Sequence, residues 1–397
     1  MTTQDSPSVP ADTQQAPARK KALIVVPSVT RFDAISTSVC ETFHALSTMA
    51  DLDVKITSWR CDVPGLNWKS AGDLSDLLLD DDFLDADLII YHFGIHVNLF
   101  DAMVMGNGHA RQAVFFHNVT PARFVPEANH GLIAKSLRQM ENFRRMDEIW
   151  PVSQVNADEL HARDFDSSRI HIIPLAVNSP ALMTLASKAA PQQLELLFVG
   201  RVVHSKGVLD LIAALRGVVA RGAPAFRLRI VGNLDWSDRA YLEQVKDAIA
   251  EARLQQQVEI VGTASDEELE QLYHQSHMLV IPSYHEGFCK PVIEGLRAGL
   301  IPVGYDAYNL RYIANGLGRM SPAGDIARLE EGLLAIMQAL PAAFADPQAA
   351  RLPLDQGLIS LAAFDEAART YIGQFTLDRF QRNVAERARR LLDQPTD

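Results

Sequence analysis

Short apolar runs recur along the chain, and each one ends near a proline, a glycine or a polar residue. Such runs are typical of parallel strands that are covered on both faces. They cover residues 21–26, 54–58, 86–91, 112–116, 194–199, 228–231, 257–261 and 278–281, and residues 147–153 and 171–174 are expected to be the last strands of the first half. Segments with helical periodicity lie between them, as at 37–49 and 208–220, and Ser265-Asp266-Glu267-Glu268 fits a capping box. The pattern predicts an α/β fold of alternating strands and helices.

The alternation of strands and helices breaks once and then starts again. Residues 187–193 (Ser-Lys-Ala-Ala-Pro-Gln-Gln) are small and polar and include a proline, as expected of a linker. We therefore predict two doubly wound domains that face each other, one over 21–187 and one over 188–375. The helical segment 377–392, within 376–397, is predicted to cross back to the first domain. Residues 1–20 are polar and Pro-rich without the apolar core of a signal peptide, and are predicted to be a disordered tail.

Residues 283–299 carry the densest candidate chemistry. They follow the strand at 278–281, Pro291 suits the start of a helix, and Gly299 suits its end. The free N–H groups at such a helix start favour an anion. Glu286 and Glu294 flank this position and would repel a phosphate, so both are expected to accept hydrogen bonds from hydroxyls of a sugar and a ribose. The preference of helix starts for acidic residues is an alternative explanation of Glu294 alone.

Composition narrows the classes of function. The formal net charge is −12, which argues against a general nucleic-acid binder. The three cysteines are far apart and odd in number, so neither a disulfide framework nor a zinc site is expected, and a cytoplasmic location fits. No apolar run is long enough to span a bilayer. His92 and His96 have no third ligand nearby in the sequence and are interpreted as cleft or core histidines rather than a metal site.

The sequence Glu286-Gly-Phe-Cys-Lys-Pro-Val-Ile-Glu294 resembles the Glu-x7-Glu signature of retaining glycosyltransferases of family 4. That family has the GT-B fold, in which two Rossmann-like domains face each other across a cleft. The resemblance extends from about Lys21 to the end of the chain and is greatest to bacterial enzymes of polysaccharide or O-antigen synthesis. It implies transfer of a sugar from a nucleotide-diphosphate donor to a glycan or lipid-linked acceptor, with retention of configuration.

Departure of the nucleotide requires stabilisation of negative charge on its phosphate. No Asp-x-Asp motif follows a suitable strand, so a metal is not expected, and the nucleotide sugar is a substrate rather than a cofactor. Arg201 and Lys206 lie in the loop after the first strand of the second domain, where ligands of open α/β sheets bind. They resemble the family's Arg and Lys that grip the diphosphate.

The resemblance assigns further roles around the donor. Glu286 and His117 would approach the transferred sugar, and Glu294 would hold the ribose. The remaining donor-binding positions are the backbone N–H groups of Gly287, Phe288 and Cys289, and Val261 and Thr263 beside the base.

The acceptor side and the donor identity are predicted from weaker signals. Residues 31–36 resemble a Gly-Asp-Ala-Ile-Ser variant of the family's Gly-rich loop, which places Asp33 and Ser36 near the acceptor; contact with the donor and helix capping are the alternatives for Asp33. His117-Asn118-Val119-Thr120-Pro121 resembles members that use GDP-mannose or a related GDP-sugar, and a UDP-sugar is left open. Residues 127–145 are predicted to form one long, amphipathic and basic helix. Its Lys135, Arg138, Arg144 and Arg145 would suit anionic lipid on the inner face of the plasma membrane, or would simply be a solvated surface.

Two other functions are weighed against the glycosyltransferase that the resemblance implies. One is a catalytically inactive GT-B protein that binds a glycan, and the other is a GT-B sugar-nucleotide epimerase. Arg201, Lys206, Glu286 and Glu294 together favour the transferase, because a binding module has no need of all four. A dinucleotide-dependent dehydrogenase is disfavoured because no Gly-x-Gly-x-x-Gly occurs at 21–36.

Overall fold

The computed structural model describes residues 19–30, 33–234 and 237–394. The first 18 residues of the predicted tail lie outside the described residues, as do Arg31 and Phe32 of the predicted acceptor loop and the last three residues of the chain. Within the described ranges, no helix has both the length and the apolar character needed to cross a bilayer.

The first half of the described chain forms a parallel sheet of six strands with the order β5-β3-β1-β6-β7-β8. Two further short strands, β2 and β4, pair with each other beside it. The strands are β1 Lys20–Val25, β2 Ser28–Val29, β3 Leu52–Ser58, β4 Arg60–Cys61, β5 Trp68–Ser70, β6 Leu88–Phe93, β7 Arg111–Phe116 and β8 Glu148–Pro151. The helices are α1 Ala34–Ser47, α2 Leu74–Leu78, α3 Asp81–Leu84, α4 Ala102–Met105, α5 His130–Gln139 and α6 Gln154–His161.

The second half repeats the plan with the order β11-β10-β9-β12-β13-β14, again parallel among the described residues. An antiparallel hairpin of β15 and β16 follows. The strands are β9 Leu194–Val199, β10 Phe226–Val231, β11 Val258–Gly262, β12 Met278–Ile281, β13 Ile301–Asp306, β14 Arg319–Pro322, β15 Arg351–Leu354 and β16 Gly357–Ser360. The helices are α7 Val208–Ala220, α8 Arg239–Glu251, α9 Asp266–Gln275, α10 Lys290–Arg297, α11 Leu310–Ala314, α12 Ile326–Ala345, α13 Leu361–Ile372 and α14 Leu377–Leu392.

In each sheet, the first strand in the sequence lies in the middle. The next two main strands lie on one side of it, and the following three lie on the other side. The first strand therefore borders the fourth main strand, as β1 borders β6 and β9 borders β12. In sheets of this order, ligands bind outside the carboxyl ends of the strands at this reversal point. The predicted pair of Rossmann-like domains is confirmed by these two sheets, and the loops after β1, β6, β9 and β12 are the places to look for a site.

The apolar runs are buried on both faces of their sheets. In the first sheet, Ile24, Ile90 and Phe115 face one side, and Val25, Tyr91 and Phe116 face the other, all at 0% exposure. Burial on two faces explains why these strands show no alternation of apolar and polar residues.

Helix α14 packs on the first half of the chain. The Phe380 ring lies parallel to that of Phe115 with centroids 6.1 Å apart. The Arg387 guanidinium pairs with both carboxylate oxygens of Glu148, with Nε 2.8 Å from Oε2. Trp150 Nε1 donates to the same Oε2 at 2.7 Å. The last helix thus supplies a cation to a buried carboxylate of β8. The domain boundaries at 187/188 and 375/376 remain a prediction.

Two elements differ from the sequence-based expectation. Residues 127–145 are not one helix: two 3-10 segments, Glu127–Asn129 and Met140–Arg145, flank α5. Tertiary hydrogen bonds hold α5, because Ser136 Oγ accepts from the His96 N–H at 2.9 Å and Gln139 Oε1 accepts from the Val97 N–H at 3.2 Å. Residues 171–174, expected as a strand, are extended chain beside a single bridge between Ile149 and Ile170.

Replacing Arg387 by Ala should destabilise the fold by about 3 kcal/mol, because Glu148 would keep its burial and lose its cation. Urea unfolding followed by circular dichroism measures the change. Arg382→Ala is the matched control, since Arg382 is exposed on the same helix and pairs with no described residue. Equal losses in the two variants would contradict a stabilising role of the buried pair.

Candidate active site

Two loops of the second half meet at the reversal point of its sheet. One follows β9 and leads into α7, and the other follows β12 and leads into α10. The Tyr284 N–H donates to Ser205 O at 2.8 Å. Gly207 has a left-handed backbone (φ 63°), and a Cβ there would lie 2.0 Å from Pro282 O. A side chain at Gly207 would therefore push the two loops apart.

This contact brings two predicted residues together. Lys206 Nζ lies 2.6 Å from Glu286 Oε1, and the two side chains are 20% and 12% exposed. The pair is shielded enough for its charges to interact strongly, yet it remains open to a ligand on one side. A ligand phosphate placed here would meet the ammonium group, and a ligand hydroxyl would meet the carboxylate.

Arg201 and the predicted base-binding residues lie at the exposed edge of the same region. Arg201 is exposed, and its side chain makes no hydrogen bond or ion pair to the described part of the chain. Val261 and Thr263 are also exposed, on either side of Gly262 at the end of β11. Leu234 packs against this turn, with Cδ1 3.2 Å from where a Gly262 Cβ would be. These exposed positions form a ledge next to Arg201, because the Gly232 N–H donates to Gly262 O at 2.9 Å and a Cβ at Gly232 would lie 3.3 Å from Arg201 N.

The start of α10 has no side-chain cap, although Pro291 carries no N–H and the Val292 N–H donates to Cys289 O at 3.2 Å. Cys289 precedes it with a left-handed backbone (φ 72°), and no side chain caps the helix start. A left-handed non-glycine residue costs about 1 kcal/mol, which the burial of Cys289 and Phe288 offsets. The Phe288 ring packs on Phe375 at 5.8 Å, so its backbone rather than its side chain is available to a ligand. The helix start is therefore suited to an anion.

Glu294 lies at the beginning of the second turn of α10. Tyr273 on α9 donates to its Oε2 at 2.6 Å, and burial raises the pKa of the carboxyl group. No described residue donates to its other oxygen, which is therefore the one available to a ligand hydroxyl. Tyr273 was missed in the sequence because a tyrosine within a helical pattern has the periodicity of a core residue.

The first domain closes over Gly287. A Cβ at Gly287 would lie 2.7 Å from Asn118 Cβ and 3.0 Å from His117 O. Ser153 Oγ donates to Gly287 O at 2.6 Å. Glycine is thus needed here for close contact between the two halves of the chain, and this contact places His117 beside the loop that carries Glu286.

His117 is half-buried, and its Nε2 lies 3.0 Å from Nδ1 of the buried His92. Burial, with a smaller contribution from Lys290, lowers the pKa of His117 to about 3. Burial also lowers the pKa of His92 well below its ordinary value. Both rings are therefore neutral at physiological pH.

A carboxylate that the sequence reasoning missed supports the Glu286 loop. Tyr305 Oη donates to Asp210 Oδ2 at 2.7 Å, and Tyr284 donates to the same oxygen. Burial and this hydrogen bond raise the pKa of Tyr284 to about 12. Because Tyr284 is two residues before Glu286, Asp210 fixes the loop from beneath. No local pattern links these three residues, which are far apart in sequence.

The two predicted acceptor residues stabilise their own loop. Asp33 accepts from the Ser36 N–H at 2.8 Å and so caps α1, which confirms the alternative expected for it. Ser36 is buried; its Oγ accepts from the Thr30 N–H at 3.0 Å and lies 2.7 Å from Asp33 Oδ2. Their contact with an acceptor stays a prediction. Among the residues that the structure describes, no group of three or more His, Cys, Asp or Glu is placed to hold a metal.

Comparison with known proteins adds to this geometry. Residues 186–340 match the family model described as "Glycosyl transferases group 1". A GDP-mannose:cellobiosyl-diphosphopolyprenol alpha-mannosyltransferase of Xanthomonas oryzae pv. oryzae is 36% identical over 111 residues, 27% of this chain and 27% of that protein. The amylovoran biosynthesis glycosyltransferase AmsK of Erwinia amylovora is 24% identical over 264 residues, 64% of this chain and 62% of that protein. The matched segments thus span less than two thirds of either relative.

The structural similarity to known proteins covers more of this chain than the sequence similarity does. A glycosyltransferase of Rickettsia africae superposes with a TM-score of 0.69 at 16% identity, covering 95% of this chain and 100% of that one. At this identity the similarity concerns the fold alone. With the two facing sheets, it confirms the predicted GT-B fold, and the match over residues 186–340 supports the predicted family. The chain therefore has the GT-B fold, and its residues 186–340 match the group 1 glycosyltransferases.

Proposed function

We propose that this protein is a retaining, metal-independent glycosyltransferase that moves a hexosyl group from a nucleoside diphosphate sugar to a glycan or lipid-linked acceptor. The observation that carries the proposal is the Lys206–Glu286 pair, 2.6 Å apart beside the uncapped start of α10. We assign residues 21–187, with the closing segment 376–397, to the acceptor side, and residues 188–375 to the donor side.

The leaving diphosphate is stabilised by positive charge from this chain. When a donor binds, Lys206 turns from Glu286 to the phosphate, and the exposed Arg201 reaches it from the other side. The N–H groups at the start of α10 complete the anion site. Each such donor, aimed at charge that develops in the transition state, contributes roughly 3 kcal/mol.

The sugar ring and the ribose are held by carboxylates. Glu286, released from Lys206, accepts from sugar hydroxyls and stabilises positive charge at the anomeric carbon. Glu294, whose orientation Tyr273 fixes, accepts from the ribose hydroxyls. The leaving phosphate takes the proton of the acceptor hydroxyl as the new bond forms on the same face of the sugar, which accounts for retention.

The favoured donor is GDP-mannose or a related GDP-sugar, and a UDP-sugar is the alternative. The Xanthomonas oryzae relative is named for GDP-mannose, and its matched segment covers 27% of this chain. Val261 and Thr263 flank the exposed ledge on which a base would lie.

A catalytically inactive glycan-binding protein or a sugar-nucleotide epimerase would be built on the same fold. The exposed Arg201 side chain and the partly open Lys206–Glu286 pair argue against a glycan-binding module, because cations at this place suit a charged nucleotide sugar rather than a neutral glycan. Detection of sugar transfer to an acceptor separates the transferase from both alternatives.

We also propose that the protein works at the cytoplasmic face of a membrane. Lys135, Arg138 and Arg145 are exposed around α5, beside Leu132, which is 37% exposed. Arg144 is excluded from this surface, because it is bound to Glu141 and to backbone carbonyls. Basic side chains near a partly exposed apolar residue suit a bilayer that contains anionic lipid.

Alanine at Arg201, Lys206 or Glu286 should each lower turnover by roughly 100-fold or more, because each removes a group aimed at charge in the transition state. Turnover is measured in EDTA with a polyprenyl-linked glycan acceptor, and thermal unfolding checks that each variant folds. Lys246→Ala, on the exposed side of α8, is the control and should retain wild-type turnover. Near-normal turnover in all three variants would exclude these roles, and wild-type turnover that requires added divalent metal would exclude metal independence.

Nucleotide binding should raise the melting temperature in a base-specific way. At 100 times its dissociation constant, a ligand of the folded state adds about 2.7 kcal/mol to the free energy of unfolding. We expect GDP-mannose to raise the melting temperature more than UDP-glucose at equal concentration, and Lys206→Ala to reduce both shifts, because both donors carry the diphosphate. A larger shift with UDP-sugars would assign the donor to that class instead.

Vesicles that contain anionic lipid should bind the protein more strongly than neutral vesicles. Each basic side chain near such a surface contributes about 1 kcal/mol. A Lys135→Glu, Arg138→Glu double variant should therefore lose most of the binding in a co-sedimentation assay at low salt. Lys246→Glu is the control, and equal binding of the wild type to neutral and anionic vesicles would contradict membrane attachment.

A further inference from the structure

His92 is a fully buried ionisable residue that the proposed mechanism leaves without a role. It lies near the end of β6 at 0% exposure, and its ring is nearly parallel to that of Phe115, with centroids 4.7 Å apart. Its Nδ1 lies 3.0 Å from His117 Nε2. Its Nε2 is buried and has no hydrogen-bond partner in the described part of the chain. A leucine would fill this position without any unpaired polar atom.

The contact between the two rings requires one N–H and one lone pair, since both histidines are neutral. If His117 Nε2 carried the hydrogen, the single hydrogen of His92 would be on its Nε2 and would be a buried donor without an acceptor. If His92 Nδ1 carries the hydrogen, only a lone pair is left unpaired at His92 Nε2. Buried N–H groups without a partner are rarer than unpaired acceptors, so the second arrangement is favoured.

This arrangement also determines whether the other ring nitrogen of His117, Nδ1, carries a hydrogen. His117 Nε2 then accepts, and the hydrogen of the neutral ring is on Nδ1. No described residue bonds to His117 Nδ1, and the residue keeps partial exposure beside the Glu286 loop. The nitrogen that can meet a ligand is therefore a donor and not an acceptor.

We propose that His92 is a positioning residue that holds His117 in the tautomer with its hydrogen on Nδ1, so that His117 donates a hydrogen bond to an oxygen of the transferred sugar. This role rests on the proposed transferase function for its effect on rate, whereas the tautomer itself is a property of the free protein. A neutral, fixed donor aligns the sugar oxygen without adding a cation beside the anomeric carbon, where positive charge develops.

The tautomer is tested directly in the full-length protein labelled with ¹⁵N-histidine. Ring nitrogen shifts and one-bond N–H couplings distinguish a protonated from an unprotonated nitrogen, and the spectrum of His117→Gln identifies the His117 signals. We expect a hydrogen on His117 Nδ1 and none on Nε2 in the wild type. A hydrogen on Nε2 in the wild type would overturn the inference without any assay of activity.

Two variants separate positioning from packing. His92→Asn keeps an amide N–H close to the place of Nδ1, and His92→Phe keeps an aromatic ring without a donor. We expect His92→Phe to lower kcat about 10-fold, as is typical for loss of an orienting hydrogen bond, and to release His117 from its single tautomer. We expect His92→Asn to remain within about threefold of wild type. His109→Asn, an exposed histidine outside the site, is the control.

The possible outcomes separate the two hypotheses. Equal losses of kcat in His92→Asn and His92→Phe, with the His117 tautomer unchanged in both, would show a packing role and overturn the inference. If the wild type transfers no sugar from any donor, the proposed function fails, and the His117 ring spectra of the wild type and the two variants still decide whether His92 selects the tautomer.

Discussion

The close contact between the loops after β9 and β12 is the constraint on which the site depends. Gly207 lies against the Pro282 carbonyl, where a side chain has no room, and the backbone bond from Tyr284 to Ser205 joins the same loops. Lys206 and Glu286 are next to these contacts and so meet at 2.6 Å. Two charged side chains from loops far apart in the sequence thus form one binding unit, because the backbone contacts hold the two loops against each other.

The site collects positive charge in a protein that is acidic overall. The net charge of −12 is a property of the whole surface, while the start of α10, Lys206 and Arg201 bring donors and cations to one edge of the second sheet. Local arrangement decides what binds, because charges within a few ångströms in a shielded cleft interact far more strongly than distant charges screened by solvent. An acidic composition is therefore compatible with an anion site.

Buried polar groups fix the loops in place from behind. Asp210 accepts from two tyrosines, Glu294 accepts from Tyr273, and Ser153 reaches across the cleft to the Gly287 carbonyl. Each of these groups would cost free energy if left unpaired, so each restricts its loop to the one position in which the bond forms. The cleft is thereby shaped by residues with no proposed ligand contact, namely Asp210, Tyr273 and Ser153, and the proposed role of His92 toward His117 follows the same pattern.

The sequence by itself determined the local structure and the residue types of the site. The apolar runs predicted the strands, including 194–199 and 278–281 at their observed limits, and the Ser265–Glu268 capping box forms as expected, because these signals act over a few residues. Lys206, Glu286 and Gly287 were recognised from spacing and resemblance.

Only the tertiary structure decided which side chains pair. The pairs are Tyr273 with Glu294, Asp210 with Tyr284, Arg387 with Glu148 and His92 with His117. It also divided 127–145 into three short segments. Such pairs join side chains that only folding brings together, and nothing in the local pattern of either partner specifies the other.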